Sequence, residues 1–375
     1  MMKIIAFDPG EKRYQKFFLD FPFTLYKDNP QWVPPLKVDM KSVLQSKKHS
    51  FYQHGEAKFL LAINEKNEVI GRLAVMENRR YNDYFKSHSA FFYYFEAIDD
   101  HTVSRGLFEA GFHWAIQRGL TAMIGPKGFS VFDGFGTLIK GFEYLPAFGQ
   151  VYNPPYYQQM LEELGFVKKW DAFTGYLPCT APLPEKIFKA ADIVQQKRNF
   201  SVKVFNSKSE IKKILPELQI LYNKSLAEDA HNMPLSNEDM QTMANQLLKF
   251  ADPHLIKLIY RYEEPVGFLL ALPDISRALI RCKGDLFPLG WYHLLREFKK
   301  TKSVELSAIG VLAEHRRIGG IALLYAEIIK SIRSNPNFEY GIFTQLRDNN
   351  PNMIVEWDNL GVERRKTHRL YIKSL

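Results

Sequence analysis

The sequence predicts a mixed α/β (α+β) protein built twice over, two domains that each carry a mixed central β-sheet flanked by helices. Three observations predict this. The chain has 375 residues, more than one hydrophobic core usually organises, and 46% of them are hydrophobic against 24% charged, so it folds around a core. Anchors recur: Glu68-Val69-Ile70-Gly71 and Glu264-Pro265-Val266-Gly267 each lead an apolar run, Gly165 and Gly361 each end a helix-like segment, and both glycine pairs lie 196 residues apart. Strand-like and helix-like periods also follow the same order in each half.

Each half starts with a short strand, residues 3–7 and 202–205, and then a helix. A hairpin follows, over 58–63 and 69–76 in the first half and over 255–260 and 266–272 in the second, each around a charged turn. Next come a central strand (90–97; 304–311) and an amphipathic helix (103–118; 320–333). Another strand, a short helix closed by Gly165 or Gly361 and a last strand complete each unit. Pro178, Pro182 and Pro184 mark the join. The expected division is a first domain over 1–180, a linker helix within 181–199 and a second domain over 200–375.

Several classes are excluded early. The longest apolar runs fall far short of the roughly 18 residues that a membrane-spanning helix needs. Charged residues Asp8, Glu11 and Lys12 interrupt the N-terminus before a secretory signal can form, so the expected compartment is the cytoplasm. Cys179 and Cys282 have no metal-ligand spacing and no disulfide framework, and no metal is expected. Lys and Arg total 50 against 41 Asp and Glu, a net charge of +9, which favours an anionic ligand. The densest basic run, from Arg364 to Lys373, reads as one edge of a strand because Leu370, Tyr371 and Ile372 interrupt it.

The most informative stretch runs from Val304 to Leu324. A strand enters a turn carrying Arg316, Arg317, Gly319 and Gly320, and the turn opens directly into an apolar-striped helix. Glycines let a backbone approach a ligand, and the free N–H groups of a first helical turn favour an anion such as a diphosphate. Walker A and dinucleotide-binding glycine patterns are both missing from it.

This stretch resembles the acyl-CoA loop of the GNAT acyltransferase superfamily, Arg/Gln-x-x-Gly-x-Gly/Ala after the fourth strand. Two registers fit: Arg317-x-x-Gly320-x-Ala322 satisfies the pattern, and Arg316-x-x-Gly319-x-Ile321 keeps the usual loop spacing. The resemblance implies acetyl-CoA or a longer acyl-CoA as co-substrate. Its pantetheine would lie along Ile309 to Val311, its diphosphate on Arg316, Arg317, Gly319, Gly320, Ile321 and Ala322, and Asn350 would match an asparagine before the last helix. Glu305 falls where related enzymes keep a general base. The position of their general-acid tyrosine falls on Trp357, whose indole N–H is no acid at neutral pH. Tyr156 and Tyr157, at a helix start in the first half, are expected to supply that acid across a cleft. His231, His293 and Asp348 are reserve candidates.

The first half has acids, Asp99 and Asp100, where the second has its Arg/Gly turn, and the expectation there is an acceptor side without CoA. Phe91 to Phe95 read as aromatic core, and 125–141 as a long ordered loop. The full chain resembles a bacterial group of tandem GNAT-like proteins, through cues such as residues 29–36, Gly125-Pro126 and Tyr152-Asn153-Pro154-Pro155-Tyr156-Tyr157. That implies an N-acyltransferase acting on a small-molecule amine rather than on nucleic acid, with the oligomeric state undetermined. A catalytically silent ligand-binding protein and a Fem-like aminoacyl-tRNA-dependent transferase are the alternatives.

Overall fold

The computed structural model describes residues 2–130, 133–226, 233–316 and 318–375. The first half contains β1 (Lys3–Phe7), α1 (Lys12–Leu25), α2 (Lys37–Val43), β2 (Gly55–Ile63), β3 (Val69–Asn78), α3 (Arg79–Phe85), β4 (Ser89–Ala97), α4 (His101–Ile116), β5 (Ala122–Gly125), β6 (Thr137–Lys140), α5 (Tyr156–Glu163) and β7 (Val167–Pro178). After the connecting helix α6 (Glu185–Lys197) come β8 (Phe200–Val204), α7 (Lys208–Lys213), α8 (Leu215–Leu226), α9 (Asn237–Leu247), β9 (Ile256–Arg261), β10 (Glu264–Pro273), α10 (Ser276–Cys282) and α11 (Gly290–Phe298). The chain ends with β11 (Ser303–Val311), α12 (Ala313–Arg316), α13 (Gly320–Ser334), β12 (Tyr340–Arg347), α14 (Pro351–Leu360) and β13 (Glu363–Ser374).

One continuous sheet joins the halves in the order β1-β2-β3-β4-β5-β13-β7-β12-β11-β10-β9-β8, with β6 added beside β13. The order is symmetric about the central β13–β7 pair. In that arrangement the last strand of each half sits next to the other half: β13 pairs with β5, and β7 pairs with β12. The basic run of β13 therefore lies at the sheet's centre and not at an edge, and Lys366 and His368 within it are fully buried. The segment expected to be a long loop contains β6, which pairs with β13.

Apolar residues alternate along each strand and so feed two layers. In the second half, α6, α13 and α14 cover one face around Ile259, Val304 and Leu324, while α7 to α9 cover the other around Leu258, Phe268 and Leu270. In the first half, α4 and α5 meet Phe92 and Met123 on one face, and α1 and α2 meet Phe59 and Phe91 on the other.

Each half contains one parallel pair that separates partway along. β4 and β5 pair only over Ser89–Phe91, and β11 and β12 only from Ser303 to Leu306. Beyond Leu306 one edge of β11 has no strand partner among the described residues up to Val311. This split is the feature that positions the site.

Candidate active site

Glu305 lies in the last turn of pairing before the split, opposite Leu272 on β10 and Ile342 on β12, and Ile342 in turn faces Tyr176 on β7. These cross-strand partners put Glu305 and Tyr176 on one face of the sheet. Asp274, just past β10, and Lys366, paired with Thr174, share that face. Residues 141–153, which arrive from the first half, form its roof. Ala147 packs on Tyr176 and Ile342, the Phe148 backbone N–H donates to Asp274, and the Gln150 amide donates to Thr174 Oγ1 at 3.2 Å. A His368 ring nitrogen lies 2.9 Å from Val151 O.

The cluster is buried and polar groups in it are left unpaired. Lys366 Nζ and His368 Nδ1 have no hydrogen-bond partner among the described residues, and Glu305 has only the Ser307 hydroxyl beside it. Interiors rarely tolerate such atoms unless a ligand or a reaction uses them. Burial, with the Asp274 charge adding to it and the Ser307 hydroxyl opposing it, raises the Glu305 carboxyl well above the usual carboxylate range. Burial also raises Asp274, against hydrogen bonds from the Ser276 hydroxyl at 2.7 Å and its N–H at 3.0 Å. Burial lowers the Lys366 ammonium to about 7, although Asp274 and Glu143 pull it back up. His368 falls to about 4 for the same reason, opposed by its bond to Val151. The site thus holds a carboxyl group that takes up a proton easily and an ammonium that loses one easily.

The sequence reading selected Glu305 and missed Asp274, Tyr176, Lys366 and His368. Lys366 and His368 were present in the sequence as alternate residues of one strand face, but the reading took the whole basic run as one edge of a strand and singled neither out.

The other expected residues fall as follows. Gly319 caps α13 with φ +103°. A Cβ added there would lie 2.4 Å from Val194 of α6, so the helix start is seated on the connecting helix and needs glycine. Arg316 has its guanidinium held by backbone, Nε–H donating to Val311 O at 2.9 Å and an Nη2–H to Ser225 O at 2.7 Å. These bonds brace the turn between β11 and α8. Arg317 lies outside the described residues, as does His231. Ile309, Ile321 and Ala322 pack partly buried on the core under α13, and Val311 and Gly320 are buried. Asn350 caps α14 through Oδ1, which accepts from Met353 N at 3.3 Å. Trp357 is buried against Phe343 and over Gly175, where a Cβ would sit 2.7 Å from its ring.

Tyr156 and Tyr157 are not brought to Glu305. The Tyr156 hydroxyl donates to Ala97 O at 2.8 Å, and the Tyr157 hydroxyl accepts from Ala97 N at 2.8 Å, so both close the end of β4 in the first half. Asp100 caps α4, accepting from Thr102 N at 2.8 Å, and puts an acid where an anion would have to sit. Asp348 is paired with Lys168 at 2.7 Å, and His293 lies on α11.

An acyl-CoA fits the second half on two observations. The edge of β11 from Ser307 to Val311 has no strand partner among the described residues and could pair with the amides of pantetheine, and the first turn of α13 opens beside it at a glycine. On the α13 side, an apolar cleft lined by Leu177, Cys179, Leu306, Ile329, Ile332 and Phe343 begins where β11 and β12 part. No group of three or more metal-ligating side chains occurs among the described residues.

Two linked units, each a mixed sheet with a parallel pair that splits ahead of a helix, define the tandem GNAT fold, and the chain has that fold. It superposes over 100% of its length on 98% of a tandem GNAT protein from the clavulanic acid biosynthesis pathway, with a TM-score of 0.57 at 11% identity. In sequence it is 26% identical over 376 residues to Protein YghO of Escherichia coli K12, spanning 96% of this chain and 93% of that protein. It is also 25% identical over 371 residues to a bacterial ceramide synthase of Caulobacter vibrioides, spanning 96% and 94%. No family model matches the sequence.

Proposed function

We propose that the protein is an acyl-CoA-dependent N-acyltransferase with a long-chain donor and a long-chain amine acceptor. The observation that carries the reading is Glu305, a carboxyl buried at the point where β11 and β12 separate. The backbone edge of Ile309 to Val311 would hold pantetheine, and the first-turn N–H groups of Gly320 to Ala322 the diphosphate. The amine nitrogen attacks the thioester carbonyl, a C–N bond forms, and the C–S bond breaks with its electron pair on sulfur. Glu305 takes the proton that the amine sheds, and this balances the one that the departing thiolate takes up. No proton transfer is assigned to Tyr156 or Tyr157, whose hydroxyls are held at Ala97.

One fact supports long chains at both ends: a relative at 25% identity is a ceramide synthase. The alternative of a silent ligand-binding protein is favoured by Arg316 being held by backbone carbonyls and by Trp357 being packed as core.

The test is thiol release and amide formation from acetyl-CoA and palmitoyl-CoA with a panel of long-chain and polar amines. Turnover with palmitoyl-CoA and a long-chain amine is expected, and Glu305→Gln should lower it about 10²- to 10⁴-fold with the fold intact. Turnover with acetyl-CoA alone would remove the long-chain reading. Binding of acyl-CoA without turnover on any amine would favour the silent one.

A further inference from the structure

Outside the catalytic cluster, the strongest unexplained surface is the α10–α11 hairpin. Phe287 is 84% exposed, and Leu289, Trp291, Tyr292 and Leu295 are each more than half exposed, all within nine residues of chain. Large apolar side chains gathered in this way mark a contact surface. The inner side of the hairpin is fully used: Leu279 and Leu294 pack with Leu36 of the first half and with Phe250. The exposed set is therefore a second, outward face and not a frayed core.

Charge identifies the occupant. Lys283, Arg296, Lys299 and Lys300 are exposed around the apolar residues. The two acids of this stretch are already paired, Asp285 with Lys37 at 3.6 Å and Glu297 with Arg281 at 2.6 Å. The patch is thus aromatic at its centre and positive at its rim. Trp, Tyr and Phe mixed with Lys and Arg suit the boundary between lipid headgroups and acyl chains, where the rings bury and the cations meet phosphate. A second copy of the chain is disfavoured, because an isologous contact would set one basic rim against another.

We infer that the α10–α11 hairpin docks the protein on an anionic phospholipid bilayer, with Phe287, Leu289, Trp291 and Leu295 entering the interface. No helix among the described residues is long and apolar enough to cross a membrane, so the contact is peripheral. Through Phe148, which packs 5.3 Å from Phe250 between ring centroids, the hairpin's inner face adjoins the roof of the Glu305 cluster. Docking here would set the hairpin between the bilayer and that roof. The inference is independent of the proposed reaction.

The experiment is sedimentation of the full chain with vesicles of phosphatidylcholine alone or mixed with phosphatidylglycerol, together with tryptophan emission. Binding to the mixed vesicles with a blue shift, weakened by salt, is expected. Phe287→Ser/Leu289→Ser, which alters only exposed side chains, should weaken partitioning by about tenfold, and Lys299→Glu/Lys300→Glu by a similar factor. The inference is overturned if the chain stays in the supernatant with both compositions, or if both variants pellet like the parent. It is equally overturned if sedimentation velocity shows a dimer that the Phe287→Ser/Leu289→Ser variant dissociates, since a second copy then covers the patch.

Discussion

Glu305 and Lys366 make opposite demands on pH, and each demand can be measured. Glu305 titrates higher in the folded chain than in the unfolded one, so the folded form prefers its neutral state. Its presence costs nothing below the unfolded carboxyl range and destabilises progressively as pH rises toward the folded value. Glu305→Gln should therefore raise the melting temperature at pH 8 and leave it nearly unchanged at pH 4. As the proposed base, Glu305 would have to be ionised, so the transfer rate should climb with pH through that same elevated range. Lys366, lowered to about 7, is bound by fewer protons when folded than when unfolded between about 7 and its ordinary value near 10.4. Stability from this group increases with pH across that window and is lowest below it. Lys366→Met should thus stabilise most at pH 6 and least at pH 10 in denaturant melts, and equal gains at both would contradict a buried ammonium. Both substitutions exchange a group the fold tolerates poorly for one it tolerates well, as expected where orphaned polar atoms are kept for chemistry.

The informative element is the β11–turn–α13 passage, and its strand, glycines and helix were readable because their signals are local: an apolar run, a Gly-Gly turn and a 3.6-residue apolar stripe. The role of the arginine was not local. Arg316 looked like a phosphate ligand in sequence, yet its guanidinium reaches carbonyls of Val311 and Ser225, the latter 91 residues earlier. Gly319 carries a sharper expectation. With φ +103° and Val194 at 2.4 Å from an added Cβ, Gly319→Val must either change the turn or displace α6. We expect a loss of about 2 to 4 kcal/mol in chemical denaturation together with weaker CoA binding by calorimetry. Asn350→Ala, which removes only the α14 cap, should cost about 1 kcal/mol and leave CoA affinity nearly as it was. A large loss of CoA affinity from Asn350→Ala would instead return Asn350 to the cofactor site. The hairpin α10–α11 escaped the sequence reading because its helices are short, seven and nine residues, which is at or below the usual length of a helix legible by its period.

Across the whole molecule, exchange of β7 and β13 makes each half depend on the other. A fragment of residues 1–199 lacks the β13 neighbour of β5, and a fragment of residues 200–375 lacks the β7 neighbour of β12. Each fragment alone should be poorly soluble, the two co-expressed should form a stable complex, and the intact chain should melt in a single calorimetric transition. Two well-separated transitions would mean that the halves fold alone. The duplication, the two hairpins, the central strands, α4, α6 and α13 were legible from the sequence, since turn residues and apolar periods fix such elements within a dozen residues. Glu305 was singled out through the resemblance, by its place on the strand that feeds the glycine turn. What only the tertiary structure decided is which strands become neighbours and which polar groups become buried. The pairing of β13 with β5 joins residues about 250 apart, and no local pattern encodes it. The pairing of β13 with β7 and β6, together with the segment of the first half that roofs them, is what takes Lys366 and His368 out of water and places them on the Glu305 face. A strand's charges read as solvated until its position in the sheet is known, because burial belongs to the neighbours a residue acquires and not to the residue.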